Sequence, residues 1–304
     1  GTANRPPIGA WISRMLPTLN ENLPKTVAIH ERSQGLGSSG GFFLAKYAAT
    51  TIPVAANGLP AGRQLADVSD DRASDRLKAL KMLNEEFYRA NQSNFIRDHI
   101  DVLDNTLSLL RSPDFSAFDI SLESDKTRER YGDSKLGRGL LLARRLVEND
   151  VRFVEVTTSG WDHHDNIMDE MKKMGPMLDR ALSALIIDLN ASGLLDETLV
   201  VLTTEFGRQN HVSGKAGRDH GPGGYCQILA GGGIRPGMVY GKTAEDAQGV
   251  KDKKAKVSPE DFFVTMAYAM GLDYNRKYLN VDKREFAMNN EGKGKPLTSI
   301  FTTA

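Results

Sequence analysis

The sequence predicts an α/β fold with a largely parallel β-sheet flanked by helices. Two apolar, β-branched runs, Val151 to Thr158 and Thr198 to Thr204, are separated by an amphipathic helical segment. Strands joined by such a crossover helix are parallel and buried, so both should end at the same edge of the sheet. The 304 residues, 40% of them hydrophobic, suffice for one large core. We expect a single domain over residues 1–304 that lacks an N-terminal segment, because the chain begins at Gly1-Thr2.

In the first half of the chain, strand and helix patterns alternate with irregular stretches. KTVAIH at 25–30 is a short buried-strand pattern that leads into the glycine- and serine-rich loop at 35–41. Residues 42–72 carry no clear period and predict irregular structure. From Ser74 to Arg111 leucines recur every three to four residues, which fits one long helix or two consecutive helices. The charged stretch 123–133 suits a solvated connector or the start of a helix.

The second half has the most regular patterns. Amphipathic helices are predicted at 135–149 and 167–191, each followed by one of the two apolar strands. A third strand-like run, Tyr225 to Ala230, contains Cys226, which we expect to be a buried, inert thiol. A last helix begins after Ser258-Pro259, an N-cap followed by proline in the first turn.

The charge balance bears on the class of partner. Lysines and arginines number 39, as do aspartates and glutamates, so no net field favours nucleic acid or an anionic membrane. No stretch of about 18 apolar residues is present, so we expect no membrane span. A small-molecule partner or a local protein partner is the remaining expectation.

Polar residues follow the first of the two strands, where ligands bind in open parallel sheets. Asp162, His163, His164 and Asp165 place two carboxylates and two imidazoles in four positions. Such ligands suit zinc or manganese, and calcium where oxygens dominate. The alternative is a solvated helix start that Asp165 or Asn166 caps.

The second strand leads into Glu205 and Arg208. A carboxylate directly after a buried strand is costly unless it is paired or bound to a metal, which makes Glu205 a candidate ligand. Arg208 could clamp an anion, because its guanidinium matches phosphate or sulfate oxygens. A structural ion pair between Glu205 and Arg208 is the alternative.

A third polar segment, GRDHGP at 217–222, precedes the run at 225. Its glycines permit tight turns, and Asp219 beside His220 can hold the imidazole as a metal ligand or a base. A surface histidine without a role is the alternative.

Four motifs in this order resemble the bacterial domain-of-unknown-function family 1501, a branch of the alkaline phosphatase and sulfatase superfamily. They are GWDHHDN at 160–166, LVVLTTEFGR at 199–208, GRDHGP at 217–222 and ILAGGGIRPGMVYG at 228–241. The resemblance runs from about Arg5 to Asp273. It implies an alkaline phosphatase-like fold, with one or two metal ions at the carboxyl edge of the sheet serving phosphoryl or sulfuryl transfer.

The resemblance also implies roles for individual residues. Asp162 and His164 resemble a ligand pair, Glu205 stands at the aspartate of an Asp-His-Gly motif, and His220 resembles the last histidine ligand. Arg208 and Asp219 then assist, with Asp219 orienting His220. The divalent ion would be zinc, manganese or calcium, the substrate a phosphate or sulfate ester, and the location extracytoplasmic, periplasmic or secreted, because many relatives carry a twin-arginine export signal.

Two departures from this pattern keep a second hypothesis open. Phe206 occupies the usual histidine position, and the upstream Gly-Gly-x-Ser-x-x-Asp-like segment of the family is not seen. Ser38 and Ser39 are the nearest candidates for a nucleophile, with no base assigned. The sequence therefore predicts a metal-dependent hydrolase, or alternatively a catalytically silent metal-binding or assembly protein of the same fold.

Overall fold

The computed structural model describes residues 4–30, 39–54, 70–246, 249–280 and 282–302. The candidate nucleophile Ser38 lies outside these ranges. The helices are α1 (Ile8–Met15), α2 (Asp70–Asn91), α3 (Asn94–Arg111), α4 (Asp125–Tyr131), α5 (Lys135–Glu148), α6 (Ile167–Ala191) and α7 (Pro259–Ala269). The strands are β1 (Thr26–His30), β2 (Thr50–Pro53), β3 (Phe153–Thr157), β4 (Val200–Leu202), β5 (Gly207–Arg208), β6 (His220–Gly221), β7 (Ile228–Ala230), β8 (Tyr278–Leu279) and β9 (Glu285–Phe286).

The chain divides into two compact units. The first comprises Gly1–Arg128 and Leu141–Thr157, and the second comprises Glu129–Leu140 and Thr158–Ala304. The single domain over residues 1–304 stays a prediction.

A three-stranded parallel sheet forms the centre of the first unit. The strand order is β2-β1-β3, and all three strands run in the same direction. All five residues of β1 are buried, as expected for a central strand that is covered on both faces. Val27 pairs with Val154 and Ile29 with Ile52, so apolar side chains line the face that Val27 and Ile29 share. The predicted mixed α/β class with a parallel sheet is confirmed, although the sheet is small.

Two expectations for the first half are resolved by the structure. The helical pattern at 74–111 forms two helices, because Gln92 adopts a left-handed backbone (φ 50°) between α2 and α3. The irregular stretch at 42–72 instead contains β2, in which two threonines and Ile52 suit a strand. The part of that stretch at 55–69 lies outside the described residues.

The predicted βαβ unit of the two apolar runs is wrong in its strand pairing. β3 joins the three-stranded sheet beside β1, whereas β4 pairs with β7 in antiparallel fashion, Val201 opposite Leu229. Three glycines with positive φ follow β7, and Gly232 turns against the backbone of Leu199 just before β4. A short strand can satisfy its hydrogen bonds with either neighbour, and its apolar sequence does not distinguish them.

Two helices organise the core of the second unit. α6 spans Ile167–Ala191, as its periodicity predicts, and buries Ala181, Ala184, Leu185 and Leu189. α7 begins after Ser258, whose side chain accepts the Asp261 N–H while the Asp261 carboxylate accepts the Ser258 N–H. This reciprocal capping box explains why the helix starts at the predicted position.

The apolar run at 225–230 is only partly a strand. β7 begins at Ile228, whose side chain is itself exposed, and Cys226 precedes it on the surface. The prediction of a buried thiol is therefore wrong. Among the helices of the described ranges, none combines the length and the apolar character needed to cross a membrane.

Candidate functional site

Three predicted ligand residues come together in the second unit. His220 Nε2 lies 2.9 Å from Asp162 Oδ1, and His164 Nε2 lies 3.2 Å from the same oxygen. The two Nε2 atoms are also 3.2 Å apart. All three side chains are exposed, so the three atoms form an open triangle that a solute can reach.

Burial alternates along the segment that carries two of these side chains. Asp162 and His164 are exposed, whereas His163 between them is buried and Trp161 is half-buried. The backbone turns at Asp162, where the His163 N–H donates to the Trp161 carbonyl at 3.1 Å. The buried Nε2 of His163 and Nε1 of Trp161 have no hydrogen-bond partner in the described part of the chain.

Backbone hydrogen bonds to a loop at 213–218 fix the position of the segment at 162–167. The backbone N–H groups of Asn166 and Ile167 donate to the carbonyls of Lys215 and Ala216 at 3.1 and 2.9 Å. Arg218 N–H donates to the His163 carbonyl at 3.2 Å. Gly217 is required for this approach, because a Cβ atom there would lie 1.8 Å from the His164 carbonyl oxygen.

The β5-β6 pair positions the third candidate ligand, His220. In its register Arg208 faces His220 and Gly207 faces Gly221. The guanidinium of Arg208 and the His220 imidazole therefore reach the same carboxylate, that of Asp162. The pairing of these two short strands thus brings Arg208 and His220 to Asp162, which lies far from both in sequence.

Asp219 contacts a different histidine from the one expected. Its Oδ1 lies 3.2 Å from His164 Nδ1, so Asp219 orients His164 and not its neighbour His220. When His164 Nδ1–H donates to this carboxylate, the lone pair of Nε2 faces the triangle. Carboxylate–imidazole pairs of this kind orient the histidine ligands of metal ions.

Arg208 is joined to Asp162, which excludes the alternative of an ion pair with Glu205. Its Nη2 contacts Asp162 Oδ1, and its Nη1 donates to the Arg218 carbonyl at 2.8 Å. Hydrogen bonds from His220 and then Arg208 lower the pKa of Asp162 to about 2. The carboxylate is therefore ionised at neutral pH, as a metal ligand must be.

The triangle has dimensions that suit a small divalent cation. Tetrahedral zinc with bonds of about 2.1 Å separates its ligand atoms by roughly 3.4 Å. The three distances of 2.9, 3.2 and 3.2 Å are shorter than that value by about half an ångström or less. Two imidazole nitrogens and one carboxylate oxygen are a common donor set for such ions.

A comparison with protein families matches almost the whole chain. The family described as "Protein of unknown function (DUF1501)" covers residues 1–301. The chain belongs to this family. The resemblance to DUF1501 that four motifs indicate is therefore confirmed, whereas the alkaline phosphatase superfamily stays a prediction. Comparisons with curated proteins and with solved structures give no match.

In this DUF1501 protein Glu205 lies outside the group of three ligands. Its side chain is exposed and has no hydrogen bond or ion pair within the described ranges. The cost of burial that suggested a ligand does not arise, because β4 ends at Leu202 and the chain is already on the surface. The metal role of Glu205 stays a prediction.

Phe206 takes part in the site as a wall. Its ring packs against the His220 imidazole, with 4.4 Å between the centroids and 50° between the planes. An apolar ring in this position limits the rotation of His220 without offering a ligand atom.

The alternative hypothesis for the segment after β3, a solvated helix start capped by a side chain, does not hold for Asn166. Asn166 is the N-cap residue of α6 but makes no side-chain cap hydrogen bond.

Proposed function

We propose that this protein binds a divalent metal ion through Asp162, His164 and His220 and hydrolyses a small-molecule phosphate or sulfate ester, on an alkaline phosphatase-like fold. One observation carries the proposal: three candidate ligand atoms from two segments, the one with Asp162 and His164 and the one with His220, lie within 3.2 Å of one another. Asp162 and His220 are 58 positions apart in sequence. Their convergence is therefore a product of the fold and not of their order in the chain.

The donor set favours zinc or manganese over calcium. Calcium takes six to eight oxygen ligands, whereas two of these three donor atoms are imidazole nitrogens. Three protein ligands leave at least one position open, which is the arrangement of catalytic and not structural zinc sites.

The surrounding residues supply the remaining functions of a hydrolytic site. An ion held here would polarise the ester oxygen and stabilise negative charge in the transition state. Asp219 fixes the tautomer of His164 through Nδ1. Arg208 brings a planar fork of N–H donors to the edge of the triangle, where it matches two oxygens of a tetrahedral anion.

A catalytically silent metal-binding protein is the second candidate, and a specific observation favours it. Within the described ranges, the partners of the three ligands are one another, Arg208 and Asp219, none of which offers a hydroxyl or thiol nucleophile. Phe206 packs on His220 where the superfamily pattern has a histidine. Both hypotheses predict metal binding, and only the first predicts turnover.

Metal binding is tested first. Calorimetric titration with Zn²⁺ and Mn²⁺ should give one site per chain, with the affinity strongly reduced in Asp162→Asn and His220→Ala. Glu205→Gln should weaken binding less than either change if it is at most an outer ligand. If the purified protein binds neither ion, or if the variants bind as well as the original chain, the site assignment is wrong.

Hydrolysis is tested on the full-length gene product, loaded with each metal and offered aryl phosphates, phosphodiesters and aryl sulfates. Turnover that disappears in His220→Ala supports the hydrolase. Arg208→Lys should lower turnover more than thermal stability, because lysine keeps the charge but loses the fork. Metal binding with no turnover on any of these esters would instead favour the silent protein.

A further inference from the structure

One oxygen atom, Asp162 Oδ1, is shared between the candidate metal ligands and Arg208. His220 Nε2 and His164 Nε2 lie 2.9 and 3.2 Å from it, and Arg208 Nη2 contacts the same oxygen. The oxygen that accepts a hydrogen bond from the guanidinium is therefore the same atom that faces the two imidazoles.

Arg208 is held in place by more than this contact. Its side chain is only 20% exposed, and Nη1 donates to the Arg218 carbonyl at 2.8 Å. The Trp161 carbonyl is a further acceptor, 3.5 Å from Nη2. The anchored guanidinium can release Asp162 without leaving the edge of the site.

A divalent cation on Asp162 Oδ1 would bring two more positive charges within a few ångströms of this guanidinium. Like charges at that range repel strongly even in a partly solvated environment. The cation also withdraws electron density from the oxygen, which makes it a weaker acceptor for Nη2. Arg208 would then have a donor group that faces the site and lacks a strong acceptor.

We propose that Arg208 couples the metal site to an oxyanion site: it neutralises Asp162 when no cation is bound and turns Nη2 to a tetrahedral oxyanion when one is. The inference rests on the proposed metal site and adds a regulation to it. Binding of the oxyanion relieves the repulsion between Arg208 and the cation, so each ligand strengthens the other by the same factor. The ligand class is a phosphate- or sulfate-like dianion, and the order of binding is free.

The test measures Zn²⁺ affinity by calorimetry in sodium sulfate and in sodium chloride of equal ionic strength, with inorganic sulfate as the probe anion. We expect sulfate to tighten zinc binding by a factor of about 5 to 150, the usual range for coupled sites. In Arg208→Gln the factor should fall to about 1. Zinc affinity in chloride should rise in this variant by up to about fivefold, because a competitor for Asp162 is removed.

Two controls and a second variant keep the test decisive. Lys215→Gln removes a positive charge from the loop at 213–218, at a side chain that is 80% exposed, and should keep the sulfate effect. Arg218→Gln should also keep it, since Arg218 contributes its carbonyl to Arg208. If Arg208→Gln does not fold, Arg208→Lys should show a reduced factor, because lysine lacks the fork.

The outcomes separate this inference from the proposed function. Zinc binding that is equally tight in sulfate and chloride overturns the coupling and leaves the metal site intact. A sulfate effect that survives in Arg208→Gln, or is lost in Lys215→Gln, assigns the anion to other charges and also overturns it. Failure to bind zinc in either salt overturns the metal site itself.

Discussion

At the scale of single residues, the two candidate histidine ligands differ in the group that contacts the second ring nitrogen. His164 and His220 both offer Nε2 to the triangle, but among the described residues only His164 has a carboxylate on its other nitrogen, Asp219 at 3.2 Å. The Asp219 carboxylate is thus placed to select the tautomer of one ligand and not of the other. Loss of such an orienting group typically weakens metal affinity without removing the site.

We predict that Asp219→Asn lowers zinc affinity by about 10- to 100-fold, because the amide is a weaker acceptor for His164 Nδ1–H. The measurement is competitive titration against a zinc indicator. Asp165→Asn is the matched control. Asp165 is an exposed carboxylate next to His164, and its ion pair with Lys215 is long, 3.9 Å. Equal losses in the two variants would mean that general charge, and not orientation of His164, is responsible.

At the scale of elements, the site depends on how closely the loop at 213–218 approaches the segment at 162–167. The contacts between them are backbone hydrogen bonds, the bridge between Asp165 and Ala216, and the long ion pair between Lys215 and Asp165. Gly217 stands where the two backbones are closest, whereas a Cβ at Gly214 in the same loop would meet open space. The two glycines therefore differ in function although they lie three positions apart.

We predict that Gly217→Ala weakens zinc binding by at least about tenfold, since the new methyl group must push His164 away from the triangle. Gly214→Ala should leave zinc affinity unchanged. Calorimetry on both variants, with circular dichroism to verify folding, makes the comparison. Unchanged affinity in Gly217→Ala would show that the loop can retreat without moving the ligand.

The start of α7 is the second element whose stability can be assigned to named groups. Partial burial opposes ionisation of Asp261, but hydrogen bonds from the Ser258 and Lys295 N–H groups outweigh it and lower the pKa of this carboxyl. A lowered pKa in the folded state means that Asp261 contributes stability above its unfolded pKa, near 3.8. That contribution is lost as the pH falls through the folded value.

We predict that Ser258→Ala costs about 1 kcal/mol at neutral pH, since it removes the acceptor of an N-terminal N–H group of α7. Asp261→Asn should flatten the fall in stability below pH 4, because the titrating group is gone. Denaturant unfolding between pH 3 and 7 measures both effects. Ser183→Ala, at an exposed site within α6, is the control and should cost little.

At the scale of the whole molecule, a bound cation would act on stability as well as on chemistry. A ligand that binds only the folded chain stabilises it by about 2.7 kcal/mol when its concentration is a hundred times the Kd. The chain has equal numbers of acidic and basic residues, 39 each, so a general electrostatic attraction for cations is not expected. Stabilisation by zinc would therefore indicate that the ion binds at the three candidate ligands.

We predict that zinc at about a hundred times its Kd raises the Tm of the unfolding transition by several degrees, given roughly 2–4 °C per kcal/mol for a domain of 150–250 residues. The rise should be absent in Asp162→Asn. Differential scanning calorimetry with and without zinc provides the measurement. An equal rise in the variant would mean that zinc binds elsewhere, with the exposed Cys226 the first candidate.

The sequence by itself determines the elements whose information is local. α6 begins and ends at the predicted residues, and α7 starts after its capping serine, because helix periodicity and capping are specified within a few neighbouring positions. A short apolar run predicts β1 for the same reason. The identity of Asp162, His164 and His220 as candidate ligands also follows from residue type and from the family motifs.

Only the tertiary structure decides which of these pieces meet. β4 pairs with β7 and not with β3. Asp219 contacts His164 and not the adjacent His220. Arg208 contacts Asp162 and not Glu205. Each choice joins residues that the chain separates by 26 to 55 positions, and for each the sequence offers a chemically equivalent alternative. Strand pairing and the close approach at Gly217 fix these positions in space, and no local pattern of residues encodes a distance.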